Sequence, residues 1–91
     1  MLKSVFSPQY AALRALLVDM RKAAGLTQRA LALRLGREHS FVARIEQGER
    51  RLDVVEFLWV CEACGADPVE AIQDLARRRG ARRSAAKRRR K

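Results

Sequence analysis

Four glycines, at positions 25, 36, 48 and 65, divide most of this chain into short segments. Each follows a stretch whose apolar residues recur every three or four positions, and glycine there is a helix stop, since it enters the left-handed conformation at little cost. The starts are marked as well. Ser7-Pro8 and Asp67-Pro68 each place a capping residue before a proline at the first helical position. Thr27 can cap another helix, and Asp53 with Glu56 has the spacing of a capping box. This punctuation admits short helices and little else. No stretch alternates as a strand does, and no tandem repeat occurs. The expected fold is all-α, a compact five-helix domain over residues 1–76, with a basic tail over 77–91.

The faces follow from the spacing. Tyr10, Leu13, Leu16, Leu17, Met20 and Ala24 mark the inner side of the first helix. The second turns Ala30, Leu31 and Leu35 inward and ends at Gly36. The third covers about 39–47, with Phe41, Val42 and Ile45 as its apolar side. The fourth runs from the Asp53 cap to Cys64, and the fifth is read with Val69, Ile72 and Leu75 inward. Beyond Leu75 the apolar pattern stops. Gly80 and charge repulsion then argue for disorder in the tail.

Charge separates the two parts. Of 20 Lys and Arg, ten fall in the tail: Arg77, Arg78, Arg79, Arg82, Arg83, Lys87, Arg88, Arg89, Arg90 and Lys91. The other ten balance the ten acidic residues, all of which lie in 1–76, so the net charge of +10 belongs to the tail. Such a segment binds polyanions without regard to sequence, through release of counterions. It has no aromatic or large aliphatic residue to insert into a bilayer, so a membrane partner is not expected. Nothing in the chain reads as a transmembrane span or signal peptide, which gives a cytoplasmic expectation, nucleoid-associated when bound to DNA.

Two features invite chemistry, and neither is read as a metal or catalytic site. Cys61 and Cys64 spell C-x-x-C, but a structural zinc needs about four ligands and the chain has one histidine, His39. Buried free cysteine behaves as a small hydrophobe. His39 has no nucleophile and orienting acid in a recognisable motif, and no phosphate-cradling glycine loop is present. No metal, cofactor or enzymatic activity is expected.

Two short helices around a tight glycine turn are the geometric minimum of a helix-turn-helix. The specific residues go further. Gly25-Leu26-Thr27-Gln28, Leu31-Ala32, Leu35-Gly36, the run Ser40-Phe41-Val42-x-Arg44-Ile45-Glu46-x-Gly48, and Gly65-x-Asp67-Pro68 occur in order and without gaps over about 20–68. In these features the chain resembles the phage-repressor or Cro-like helix-turn-helix family, also called the xenobiotic-response-element family. The resemblance implies double-stranded DNA as partner, with the third helix in the major groove. It places His39, Ser40 and Arg44 at base-reading positions, Gln28 and Gln47 at phosphate contacts, and Arg21 and Glu46 in an ion pair joining the first helix to the third. Arg50 and Arg51, in the following loop, are candidates for further backbone contacts. The function implied is that of a sequence-specific transcriptional regulator, a repressor, working as a homodimer.

The chain departs from the family in three places. Glu38 stands where a Ser or Thr cap is usual. Leu33 and Trp59 stand where charged surface residues are usual, and mark either scattered surface or a dimer or partner contact. Two other functions fit the same residues. One is an antitoxin that binds a toxin protein and represses its own promoter. The other is a non-specific nucleic-acid binder driven by the tail.

Overall fold

The computed structural model describes the backbone of residues 7–88 and the side chains of 7–78. Five helices follow one another: α1 Pro8–Ala23, α2 Gln28–Leu35, α3 Ser40–Glu46, α4 Val54–Cys64 and α5 Pro68–Arg88. No strand occurs among the described residues. The starts use the local chemistry legible in the sequence. The Ser7 hydroxyl accepts from the Tyr10 amide and the Thr27 hydroxyl from the Ala30 amide, each at 3.0 Å. Asp53 and Glu56 close a reciprocal capping box at α4. Each such cap is worth about 1 kcal/mol, by satisfying amides that have no partner inside the helix.

The core draws on all five helices. Leu16, Leu17 and Met20 of α1 meet Leu31 and Ala32 of α2, Phe41, Val42 and Ile45 of α3, Phe57, Val60 and Cys61 of α4, and Ala71 of α5. α1 lies against α3, α4 and α5, while α2 packs on α3 and α4. Ala32 and Cys61 have no exposed surface. Cys64 packs at the core's edge, and neither cysteine is in a disulfide. Burial pushes both thiols above their ordinary range, which makes them less nucleophilic.

The structure corrects the reading of α5. Its inner face is Ala71 with partly buried Leu75, whereas Val69 and Ile72 point outward at 63% and 49% exposure. Two helical stripes share Leu75, one through 69 and 72 and one through 71. Ala71 lets α5 approach α1 and α4 closely, and Arg78 secures that orientation. Its guanidinium donates to Asp74 Oδ1 at 3.0 Å and to Asp19 Oδ2 of α1 at 2.8 Å. These carboxylates raise the Arg78 pKa, and Arg78 in turn lowers that of Asp74.

α5 continues over the basic segment to Arg88, through good helix formers such as Ala81, Ala85 and Ala86. The side chains of Arg79, Arg82, Arg83, Lys87 and Arg88, and the whole of Arg89, Arg90 and Lys91, lie outside the described residues. Among the described residues no helix is long and apolar enough to cross a membrane, and no cluster of side chains could hold a metal ion.

A candidate nucleic-acid interface

The turn between α2 and α3 begins at Gly36, whose φ of 69° is left-handed. Its amide donates to Leu33 O at 3.1 Å, and the Arg37 amide donates to Ala32 O at 3.0 Å. This pair of bonds satisfies carbonyls that α2 leaves open, and the left-handed Gly36 ends the helix and redirects the chain. α3 then crosses back with Phe41, Val42 and Ile45 buried. The opposite side of the helix carries Ser40, Arg44 and Gln47, which share a face because they lie four and three residues apart. Arg44 and Gln47 are exposed, Ser40 is partly so, and His39 stands exposed at the N-terminal end. Two polar side chains, an imidazole and a guanidinium thus project from a helix fixed by its apolar back.

Glu46 flanks that face and holds the helix in place. Arg21 Nε donates to Oε2 at 2.8 Å and Nη2 to Oε1 at 3.1 Å, a bidentate pair with side chains 11% and 7% exposed. Arg21 Nη1 also donates to Leu26 O at 2.9 Å. Gln28 Nε2 donates to Glu46 Oε1 at 2.7 Å. One carboxylate therefore ties α1, the start of α2 and the end of α3, and Arg21 itself adds the loop after α1. Gln28 keeps one amide hydrogen and its oxygen for another partner.

Sequence reasoning did not find the rest of the support. Arg14 lies beneath Gly48, and its Nη1 donates to Glu46 O at 3.3 Å. A Cβ at Gly48 would stand 3.4 Å from Arg14 Nε, so the glycine makes room for the guanidinium as well as supplying a φ of 83°. At the other end of α3, the guanidinium carbons of Arg37 and Arg50 lie 4.1 and 4.8 Å from the centre of the Phe41 ring. Such cation–π contacts contribute about 0.5–1 kcal/mol at exposed sites.

Arg50 also forms a bidentate pair with Glu56, at 3.1 and 2.9 Å. The hydrogen-bonded guanidinium holds the Glu56 carboxyl below the ordinary range, against the opposing effect of burial. Arg50, read from sequence as a DNA-backbone candidate, is thus engaged by Glu56 and Phe41, while Arg51 is exposed. Arg37 reaches Glu56 only at 3.9 Å and remains 34% exposed. The D-x-x-E spacing pointed to Glu56 as a capping residue. Its role as an anchor for two arginines depends on tertiary proximity that no local pattern encodes.

Leu33 and Trp59 are exposed, at 79% and 49%. They do not stand alone: Val54, Val55 and Leu58 are exposed with Trp59 along α4, and Val69 and Ile72 on α5. Arg34, beside Leu33, donates from Nη1 to Ala63 O at 2.8 Å and ties α2 to the end of α4.

Comparison with known proteins agrees with this architecture. A family model described as a helix-turn-helix domain matches residues 12–72. Among solved structures, the chain is similar to an XRE-family like protein from Pseudomonas syringae pv. tomato, at 51% identity and a TM-score of 0.70, covering 74% of this chain and 82% of that one. It is also similar to the restriction-modification controller protein C.AhdI from Aeromonas hydrophila, at 28% identity and a TM-score of 0.62, covering 77% and 99%. The clp gene regulator ClgR from Corynebacterium glutamicum matches at 26% identity and a TM-score of 0.66, covering 75% and 88%. No curated protein sequence matches the chain. With its glycine turn, its nearly buried Arg21–Glu46 pair and the family match across two thirds of its length, the chain belongs to the Cro-like, or XRE, family of helix-turn-helix proteins.

Proposed function

We propose that this DNA-binding transcriptional regulator reads a specific sequence with the outward face of α3 and represses by occupying its site. One observation carries the reading: His39, Ser40, Arg44 and Gln47 are presented on a helix whose other sides are buried or bound to α1 and α2. A reading helix must be fixed before contact if base geometry is to be told apart. His39, Ser40 and Arg44 are the base-reading residues. A bidentate contact from Arg44 to guanine O6 and N7 contributes about 1–3 kcal/mol of discrimination. Gln47, Gln28 through its remaining amide capacity, and Arg51 contact phosphates. Phosphate contacts set register and carry no sequence information directly.

The basic segment adds affinity without selectivity. Arg77 and Arg78 open it, and Arg78 is spent on Asp19 and Asp74. The tail's share is therefore tested by removing residues 80–91 and keeping that clamp. If the removed charges contact about five phosphates, the slope of log affinity against log salt becomes shallower by roughly 4–5.

Binding selection from fragmented genomic DNA at about 150 mM salt tests the whole reading, since lower salt exaggerates surface charge. The full chain and the shortened chain should enrich the same sequence. Arg44→Ala should flatten preference at one or two positions of each site and leave the others. Equal affinity for unrelated sequences would overturn sequence reading and leave a non-specific binder driven by the tail.

A further inference from the structure

Glu38 stands between the turn at Gly36 and the exposed residues His39 and Ser40, and the fold gives its side chain no task. Its backbone is fixed, since Glu38 O accepts from the Phe41 amide at 3.0 Å. Its carboxylate is exposed and meets no hydrogen-bond or ion-pair partner among the described residues. By contrast Glu46 and Glu56, the acids that hold α3 in place, are both bound by arginine. A solvated surface glutamate would look the same by itself, but the position of this one matters. The N-terminal residues of a reading helix meet base edges, so with α3 in the major groove Glu38 is carried to the rim of that contact. An anion there is repelled by phosphate on every sequence, and gains only where the DNA offers it a donor.

We propose that Glu38 is a specificity-determining residue, which selects cytosine at one position of each site by accepting a hydrogen bond from the N4 amino group. The proposal rests on the reading of α3 as the helix in the major groove, and adds to it a residue and the base that residue reads.

The chemistry of the groove picks the base. An ionised carboxylate can only accept hydrogen bonds. Guanine shows it two acceptors, O6 and N7, and thymine shows an acceptor and a methyl group. Adenine shows a donor beside an acceptor, and cytosine alone shows a donor with no acceptor. The expected order is therefore cytosine, then adenine, with guanine and thymine rejected. Flanking cations make the charge tolerable in an anionic groove. The guanidinium groups of Arg37 and Arg50 lie over the ring of Phe41, three residues further on. The Arg50 pKa is raised first by its hydrogen bond to Glu56 and, more weakly, by the charge on Glu38, so the two lie within electrostatic reach. Arg37 has only a loose partner in Glu56, at 3.9 Å. Arg44 brings donors to the groove and Glu38 brings acceptors, so the two residues read opposite chemistries.

Selection from random-sequence duplexes at about 150 mM salt, with the full chain and two variants, tests the assignment. Fluorescence anisotropy on the selected duplex and its single-base changes then reads the affinities. The wild type should prefer cytosine at one position of each site by at least ~5-fold over guanine or thymine. Glu38→Gln keeps the size and adds a donor, and should move that preference to adenine, whose N6 and N7 suit an amide. Glu38→Ala should lose the preference and bind the rejected sequences more tightly than the wild type does. The position affected should differ from the one that Arg44→Ala flattens. Far-ultraviolet circular dichroism checks that both variants keep their helices. Variants that select the same bases as the wild type overturn the proposal. Unchanged affinity would then mark a solvated side chain, and affinity raised equally on all sequences a carboxylate that faces only phosphate. Either result leaves the regulator reading standing, whereas a wild type without preference at any position overturns that reading and the proposal with it.

Discussion

At its C-terminal end α3 is tied to α1 and α2 through a nearly buried carboxylate, whereas at its N-terminal end it has no side-chain cap and leans on guanidinium groups stacked over Phe41. Both ends carry some charge of the sign that a helix dipole disfavours, Glu46 at the C-terminus beside Arg44, and Arg37 and Arg50 near the N-terminus beside Glu38. At the C-terminus Arg21 and Arg14 compensate Glu46 from outside the helix. At the N-terminus Glu56 holds Arg50 fully and Arg37 loosely. One end is therefore closed by ion pairs and hydrogen bonds. The other keeps exposed cations and donors, as suits contact with an anionic groove.

The sharpest way to break the contrast is to remove its central acid. Glu46→Ala leaves Arg21 buried without its partner and Gln28 without an acceptor, a loss expected near 3–5 kcal/mol, a large share of the stability of so small a domain. Thermal and urea unfolding measure it. The pair Arg21→Met with Glu46→Leu removes both charges and should regain most of that stability, because the desolvation cost of a buried pair is removed along with its attraction. If the double variant is as unstable as the single one, the clamp acts through shape and hydrogen bonds more than through paired charge.

At the opposite end the corresponding substitution is Glu56→Gln, expected to cost about 1.5–3 kcal/mol through the lost charged bonds to Arg50 and the weakened capping box. Its pH dependence has a definite sign. Arg50 depresses the Glu56 pKa in the folded state. The stabilisation is therefore complete above the ordinary glutamate value of about 4.3, and is lost as pH falls through the lower folded value. The wild type should lose stability over that acid window, and the Gln variant should lose less. Parallel curves for the two proteins would show that Glu56 does not carry the acid sensitivity.

What the sequence made legible sorts by distance along the chain. The caps at Ser7, Thr27 and Asp53 and the turn at Gly36 depend on bonds within a few residues, and spacing reveals them. The core face of α3 was equally plain, because Phe41, Val42 and Ile45 leave no competing stripe. In α5, by contrast, two stripes overlapped at Leu75, and only packing against α1 chose the one through Ala71. In α2 the sequence singled out Ala30, Leu31 and Leu35, yet Ala32 is fully buried beside Leu31 while Ala30 and Leu35 are only partly so. Arg14, Arg37 and the inward role of Arg50 were out of reach for another reason. Each guanidinium meets a residue on a different element, and an arginine alone carries no local sign of whether it will turn inward or toward solvent.

Gly48 offers a smaller effect on the C-terminal side. Gly48→Ala must hold a φ of 83° and place a methyl 3.4 Å from Arg14 Nε. The left-handed backbone costs about 1–2 kcal/mol, and Arg14 has to yield a few tenths of an ångström. The expected destabilisation is therefore about 1–2 kcal/mol. Replacing Arg14 by alanine as well should recover only the crowding part, which a double-mutant cycle isolates.

The smallest effect belongs to the open end, and its smallness is informative. At Ser7, Thr27 and Asp53 the capping residue is extended, with φ between −75° and −87° and ψ between 156° and 174°, and its side chain reaches back to an amide. His39 sits at φ −64° and ψ −21°, already helical, and makes no such bond. An aspartate placed there cannot adopt the capping geometry unless the turn after Gly36 reorganises. His39→Asp should therefore stabilise the domain by less than about 0.5 kcal/mol, from charge near the helix N-terminus alone, where an ordinary cap would contribute about 1 kcal/mol. The same carboxylate should weaken DNA binding, by repulsion from phosphate. A gain of a full cap's worth on thermal unfolding would mean that α3 can begin one residue later than it does, and that its open N-terminal end is a choice of side chain more than a consequence of the turn.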